Sequence, residues 1–492
     1  MEKVGTKKVG MERVLKLLGM RYAIAALVLV GLAALYGAAS FSRPGNAEEG
    51  NRSEPVNAAV MVCPGHEGGR VSVQSLPQKR TGGRLDVADT RGGSPLASMT
   101  APGHGWDKDM GTTKDAFTVR ASGALAAGLE AEQTTYWPHG DDRGLANARC
   151  ARPGTDLWFL GPGPLAADGL DLYLTNVDAQ PASVDLAAMS GEGPLDTTEG
   201  RATPVAPYST SVIKIGGQPE GLGDIVETAR DLALNVHTTA GRVAASLRVR
   251  IGKKKGVEWL PLSPEPAASL VVPGVPGGDG QRRLLLAVPG ETDARIKVRA
   301  VTADGAFAPQ GQDEVDAPAQ SVTAIDLAGA LSGRAAAVRL DSDQPIIGGF
   351  SAARGADVAY GTATEPLGGA SGASAVIADD RYDASVTLTA PAGAAAVQIT
   401  TMDGQGAGSP QNVRIAAGRT VETKLPPPRD GDDDKGYGAV VTVQPGSGPV
   451  YGARTIAKGK GDGYLFTVLP LMPAPATLRL PPTDDSQTAL TP

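Results

Sequence analysis

The side chains able to do chemistry gather near the start of this chain. Of its four histidines, His66, His104 and His139 precede residue 154, and only His237 lies beyond. Cys63 and Cys150, with two of the four tryptophans, Trp106 and Trp137, fall in the same stretch. A metal or catalytic centre would need such residues at ligand spacing, and no His-Glu-x-x-His or comparable pair occurs. Gly-rich turns flank His66 and His104, which reads as surface histidines, with a functional cluster as the alternative. The cysteines are 87 residues apart, without zinc-site spacing. In an oxidising compartment a disulfide between them is expected, with a metal pair as the alternative.

Other chemistries find little support. No Gly-x-Ser-x-Gly elbow stands between a strand and a helix, and no phosphate loop of the Gly-x-x-x-x-Gly-Lys kind is present. A glycosidase needs two acids facing one cleft. Glu130 and Glu132 share one face of a predicted strand, an arrangement common where a sheet faces water. Asp430-Gly-Asp-Asp-Asp-Lys435 lacks the ligand alternation of a calcium loop and reads as a solvated loop. Lys253-Lys-Lys255 could meet acidic wall polymers or lipid headgroups, or be a plain hairpin end. The residues kept as a possible ligand surface are Trp106, Trp137, His139, Lys253, Lys254 and Lys255; none is assigned as catalytic, cofactor-binding or metal-binding.

The elements that must position these residues repeat. Short strands opening at Val60, Leu157, Leu270, Ala375 and Leu478 begin 97, 113, 105 and 103 residues apart, and such a period fixes architecture. In the complete copies three strands follow, for example Arg283–Val288, Ala294–Val298 and Ser321–Leu327, with period-2 alternation and Gly-bearing turns between them. The second half of each unit adds a strand such as Ala337–Leu340. Next comes one rich in small residues: Leu125–Leu129, Val243–Leu247, Ile346–Phe350 and Val450–Ala453. Small side chains in a strand imply close approach of another backbone. A charged tip follows, at Asp141-Asp-Arg143, Lys253-Lys-Lys255, Arg354–Asp357 or Lys458–Asp462, and the complete copies then carry a return strand. With 65 Gly and 38 Pro but only 4% aromatics, the core must be built from Val, Leu, Ile and Ala in many short elements.

The expected class is therefore all-β. The fifth opening strand favours a seven- or eight-bladed propeller-like ring, which it would close by completing a blade begun at the other terminus. A row of Ig-like sandwiches is the alternative.

Six bases (Lys3, Lys7, Lys8, Arg13, Lys16, Arg21) against two acids precede Tyr22–Phe41, a run of 20 uncharged, mostly apolar residues. As a helix it would span about 30 Å, the thickness of a bilayer core. The basic flank places the N-terminus in the cytoplasm and the rest outside; a cleaved signal peptide is the alternative. The expected organisation is a basic segment at 1–21, an anchor at 22–41 and a linker at 42–58. Repeats at 59–153, 154–269, 270–374 and 375–475 follow, with a closing strand and tail at 476–492. The formal charge of −7 becomes still more acidic without the leader, which argues against nucleic acid as a partner.

Val62-Cys-Pro64, Cys150-Ala-Arg-Pro153, Trp158-Phe-Leu-Gly161, Trp259-Leu-Pro261, Val272–Pro276 and Ser342-Asp-Gln-Pro-Ile346 come in an order that resembles an actinobacterial family of membrane-anchored or secreted β-repeat proteins of unknown function. The second repeat is distantly similar to bacterial relatives of the IgGFc-binding module, which implies a surface protein. Neither resemblance carries a catalytic residue or cofactor. The expected function is a non-enzymatic envelope protein, a binding or scaffolding platform for cell-wall glycan or other envelope proteins. An exported glycan-active enzyme with a site in the first repeat is the rival.

Overall fold

Alternation along each strand builds this molecule. In Ala294–Thr302, Ala294, Ile296, Val298 and Ala300 point inward while Arg295, Lys297 and Arg299 face water, as a strand buried on one face requires. The computed structural model describes residues 28–36, 53–65, 69–111, 115–368, 374–403, 406–425 and 438–479. Residues up to Glu54 together with those from Arg479 make one compact unit, and Pro55–Leu478 the other. In the first, residues 28–36 are helical and expose Val28, Leu29, Val30, Leu32, Leu35 and Tyr36. The rest of the expected anchor lies outside the described residues. Among those described, no helix is long and apolar enough to cross a membrane.

The body from Pro55 to Leu478 is all-β and holds four repeats, each made of two antiparallel sheets facing across one core. In the first, the sheet ordered Ala58–Cys63, Phe117–Ser122, Leu85–Asp89, Ala97–Met99 covers the sheet ordered Trp106–Asp109, Arg70–Gln74, Glu130–Trp137, Gly144–Arg149. Met61, Val71, Val73, Val87 and Val119 fill the space between them, and the buried Cys63–Cys150 disulfide closes it. The second repeat pairs the sheet of Asp156–Pro162, Asp231–Ala240 and Ala182–Ser190 with that of Ser209–Lys214, Gly169–Asn176, Ala244–Arg250 and Val257–Leu260. The fourth repeats this plan from Ser374–Ile377 to Leu465–Pro470. In the third, one strand, Ala336–Arg354, serves both sheets. Its first half pairs with Ala267–Val275 and Ala294–Thr302, its second with Gln281–Val288 and Asp357–Thr362. Pro345, which has no N–H to give a ladder, marks the crossing.

These sheets correct the expectation of seven or eight blades. Each unit buries both of its apolar faces against each other, so it does not supply two independent blades. The first repeat also departs from the expected register. Gly123–Ala126 is a 3-10 turn, and the strand expected at Leu125–Leu129 is Glu130–Trp137. A Gly123 at positive φ (61°) starts the turn, which shifts the small residues off the strand.

Every repeat ends in a hairpin whose return strand lies at a sheet edge: Gly144–Arg149, Val257–Leu260, Asp357–Thr362 and Leu465–Pro470. The first packs against the second and fourth, and the third against the same two. Shared apolar clusters tie the repeats in the same cycle. Ala146 and Ala148 meet Tyr173 and Trp259; Leu160 and Met189 meet Leu285 and Ile347; Ala453 and Phe466 join the third core; Leu145 meets Ile456 and Leu465. Four exposed edges would invite aggregation, and their convergence removes that hazard. The approach is close: a Cβ on Gly144 would sit 2.9 Å from Val257 N.

Candidate functional site

Converging edge strands bring their own backbone donors into a dry interior, and those donors need acceptors. Buried carboxyl groups supply them across repeat boundaries. Asn147 N–H and Trp259 N–H both donate to Glu258 Oε1 at 2.9 Å. Phe466 N–H donates to Asp357 Oδ2 at 2.8 Å, and Ala378 N–H to Glu132 Oε1 at 2.9 Å. Burial pushes the Asp357 carboxyl up to about 7, against the pull of the Phe466, Val358 and Leu145 N–H groups. Burial also raises Glu258 well above the carboxylate range; nearby Asp357 adds to this, and the Thr467 hydroxyl and the two N–H groups oppose it. Asp357 and Glu258 are cross-repeat staples held in sites that disfavour the charged form,.

Beside them runs a chain of ion pairs between the first and fourth repeats. Arg454 Nη1 lies 2.7 Å from Glu132 Oε2, both 1% exposed, and also donates to Asp379 O. Arg381 Nε donates to Asp379 Oδ1 at 2.9 Å, and Thr134 Oγ1 to Oδ2 at 2.6 Å. Although burial opposes it, the neighbouring Arg381 and Arg454 hold the Asp379 carboxyl below its ordinary range. Glu130 pairs with Arg149 at 2.5 Å; burial raises its carboxyl, with Arg149 lowering it and Glu132 raising it further. Glu130 and Glu132, whose shared strand face told nothing of a cleft in the sequence, are turned inward. Both are buried and already held by arginines, so neither is presented to a cleft as a glycosidase acid would be.

The same four hairpins place their charged tips side by side. Lys254 N–H donates to Asp141 O at 2.8 Å, Lys253 Nζ lies 3.6 Å from Asp141 Oδ2, and Arg143 Nη2 donates to Asp462 O at 2.6 Å. Arg354 Cζ, on the third tip, lies 4.3 Å from the ring centre of Tyr464, on the fourth. The structure brings Trp137, His139 and Lys253–Lys255 to this one face. Arg248 Cζ lies 5.7 Å from the Trp137 ring centre while its Nη2 reaches Asp142 at 3.2 Å. His139 and the three lysines are exposed. Trp106 is not part of it. It pairs with Val73 at the level of Ala131, six residues or about 20 Å down the neighbouring strand from Trp137.

Sequence reading named Trp137 but missed the tyrosines of this face. Lys458 Nζ sits 4.5 Å from the Tyr136 ring centre and 4.0 Å from that of Tyr382, the two rings being 5.7 Å apart. Tyr136 and Tyr464 each flank a charged tip, a repeat-to-repeat signal that was open to alignment. Tyr382 comes from a different loop and had no such signal. His104 and His237 are exposed and apart from the face; His66 and Asp430–Lys435 lie outside the described residues. Among the described residues no group of three or more His, Cys, Asp or Glu could hold a metal ion.

A family model described as a family of unknown function, DUF5719, matches residues 106–426. No curated protein matches. Among solved structures, the tetra-tandem repeat in the extending region of a large adhesion protein aligns over 85% of this chain and 100% of that one. Identity is 12% and the TM-score 0.10, a likeness that carries no argument.

Proposed function

From the premise that this chain belongs to DUF5719, a family of unknown function, we propose that it is a non-enzymatic, membrane-anchored envelope protein whose four hairpin tips bind acidic cell-wall glycan. The observation that carries the reading is the basic, aromatic-bearing face built by those tips on a chain of net charge −7. Lys253, Lys254, Lys255, Arg354, Lys458 and Lys460 supply charge, and Trp137, Tyr136 and Tyr464 supply flat surface. Long-range attraction of polyanions to such a face needs no enclosed pocket. Loop faces on a rigid β scaffold are also where binding residues concentrate.

The anchor reading rests on the basic leader before Tyr22 and on the apolar side chains exposed by residues 28–36. With the N-terminus cytoplasmic and the repeats outside, the Cys63–Cys150 disulfide suits its compartment,. The resemblance to IgGFc-binding-type repeats fits the same surface role.

The test is binding of the full chain to purified uronate- or phosphate-bearing wall polymers and to neutral ones, with Lys253→Glu/Lys254→Glu/Lys255→Glu beside the parent. The expected result is preference for acidic polymer that falls steeply with salt and drops at least about tenfold in the variant. Equal binding of neutral polymer, unchanged by the triple substitution, would contradict it.

A further inference from the structure

Four described arginines are buried: Arg248, Arg282, Arg381 and Arg454. Three are paired with carboxylates, at 3.2, 2.5 and 2.7 Å. Arg282, 3% exposed, is the exception. Its Nε donates to Pro276 O at 2.7 Å, and among the described residues its buried Nη2 has no hydrogen-bond partner and no carboxylate pairs with it. A buried guanidinium without a counterion is unfavourable unless something completes it.

Arg282 lines a cleft of about 230 Å3, open solvent included, between the third and fourth repeats. Arg354, Tyr464, Phe466, Gln281 and Asp279 also line it. Arg354 lies over Tyr464, whose ring stacks on Phe466 with centres 5.7 Å apart. Burial lowers the pKa of Arg282, exposed Asp279 raises it and Arg354 lowers it again, so the two guanidinium groups feel each other. Among the lining residues two cations stand against one solvated carboxylate; Asp383 and Glu422 also act on Tyr464, and Asp383 is itself paired with Lys424 at 2.7 Å. The cleft's enclosed part is only about 20 Å3, far below the ~300–1,000 Å3 that encloses a whole drug-sized ligand, so it admits one water-sized group, such as a single oxygen of an acidic group on a larger molecule.

We propose that Arg282 and Arg354 form an oxyanion subsite that takes a carboxylate or phosphate group of an acidic glycan lying across the tip face. The planar N–H fork of a guanidinium matches such groups in geometry and charge. This deepens the reading of the tip face and rests on it for the identity of the chain that bears the group.

The experiment titrates the full chain with glucuronate, inorganic phosphate and neutral glucose, reading affinity and melting temperature. Glucuronate, phosphate or both should bind and raise the melting temperature, and whichever does names the group; glucose should do neither. Arg354→Gln, at an exposed position, should weaken anion binding at least about fivefold. Arg282→Met should abolish it while leaving the ligand-free melting temperature unchanged or higher, because the unpaired charge is gone. No anion response in the parent, or the same response in both variants, overturns the subsite. Polymer binding that survives both variants but is lost on reversal of Lys253–Lys255 leaves the tip-face reading standing without it. Anion binding lost in both variants, with no polymer bound, leaves the subsite standing and removes that reading.

Discussion

Asp357 makes the stability of this protein depend on pH in the direction opposite to that of most carboxylates. Its carboxyl rises from 3.8 to about 7 on folding, a difference of about three units. At 1.36 kcal/mol per unit that is on the order of 4 kcal/mol. Because the folded pKa is the higher one, the folded state holds a proton that the unfolded chain has released. The contribution is therefore complete below about pH 3.8, is lost as pH rises towards 7, and is flat above that. Asp357→Asn keeps a neutral side chain there and removes the titration. Parent and variant should be melted at intervals from pH 4 to pH 8. The variant should gain on the parent by about 4 kcal/mol across that range, or roughly 5 °C for a cooperative body of about 400 residues. Glu258 is raised too, but it is present in both proteins and largely cancels in the difference. A gap between the two melting curves that stays constant with pH would refute the reasoning.

The remaining predictions concern how the repeats are held together. Arg454→Met strands Glu132 as a buried charge and should cost about 3–5 kcal/mol, while Arg454→Met with Glu132→Leu should cost much less; chemical denaturation of all four combinations gives the coupling. Replacing Cys63 and Cys150 by Ala should destabilise by up to about 4–5 kcal/mol, read from the shift in denaturant midpoint. Gly144→Val should cost about 1–3 kcal/mol in the same assay, because its side chain would meet the backbone of Val257,.

What could be read from the sequence was whatever alternation and turn chemistry record locally. Ala294–Val298 and Ser385–Thr389 show their inward faces plainly, and the structure places strands there. The pairing of Cys63 with Cys150 was equally open, since two cysteines in one repeat leave a single partner each. Ring against sandwich was not legible, because blade and half-sandwich share the same period-2 pattern. Local patterning says which face is apolar but not which sheet covers it. Glu132 failed for a related reason. Its partner Arg454 is over 300 residues away, so nothing near it marked it as buried. Tyr382 and Arg282 reach their sites through contacts between repeats, which no repeat alone encodes.

The central claim is that four hairpin tips from four repeats form one ligand face, and hydrogen exchange of the full chain with and without an acidic wall polymer tests it most directly. The account predicts simultaneous protection at residues 138–143, 252–256, 354–357 and 458–464, while the outer strands such as Ala97–Met99 and Thr203–Val205 stay unchanged. Protection confined to the first repeat, or spread over the outer sheets with the tips unaffected, would contradict it.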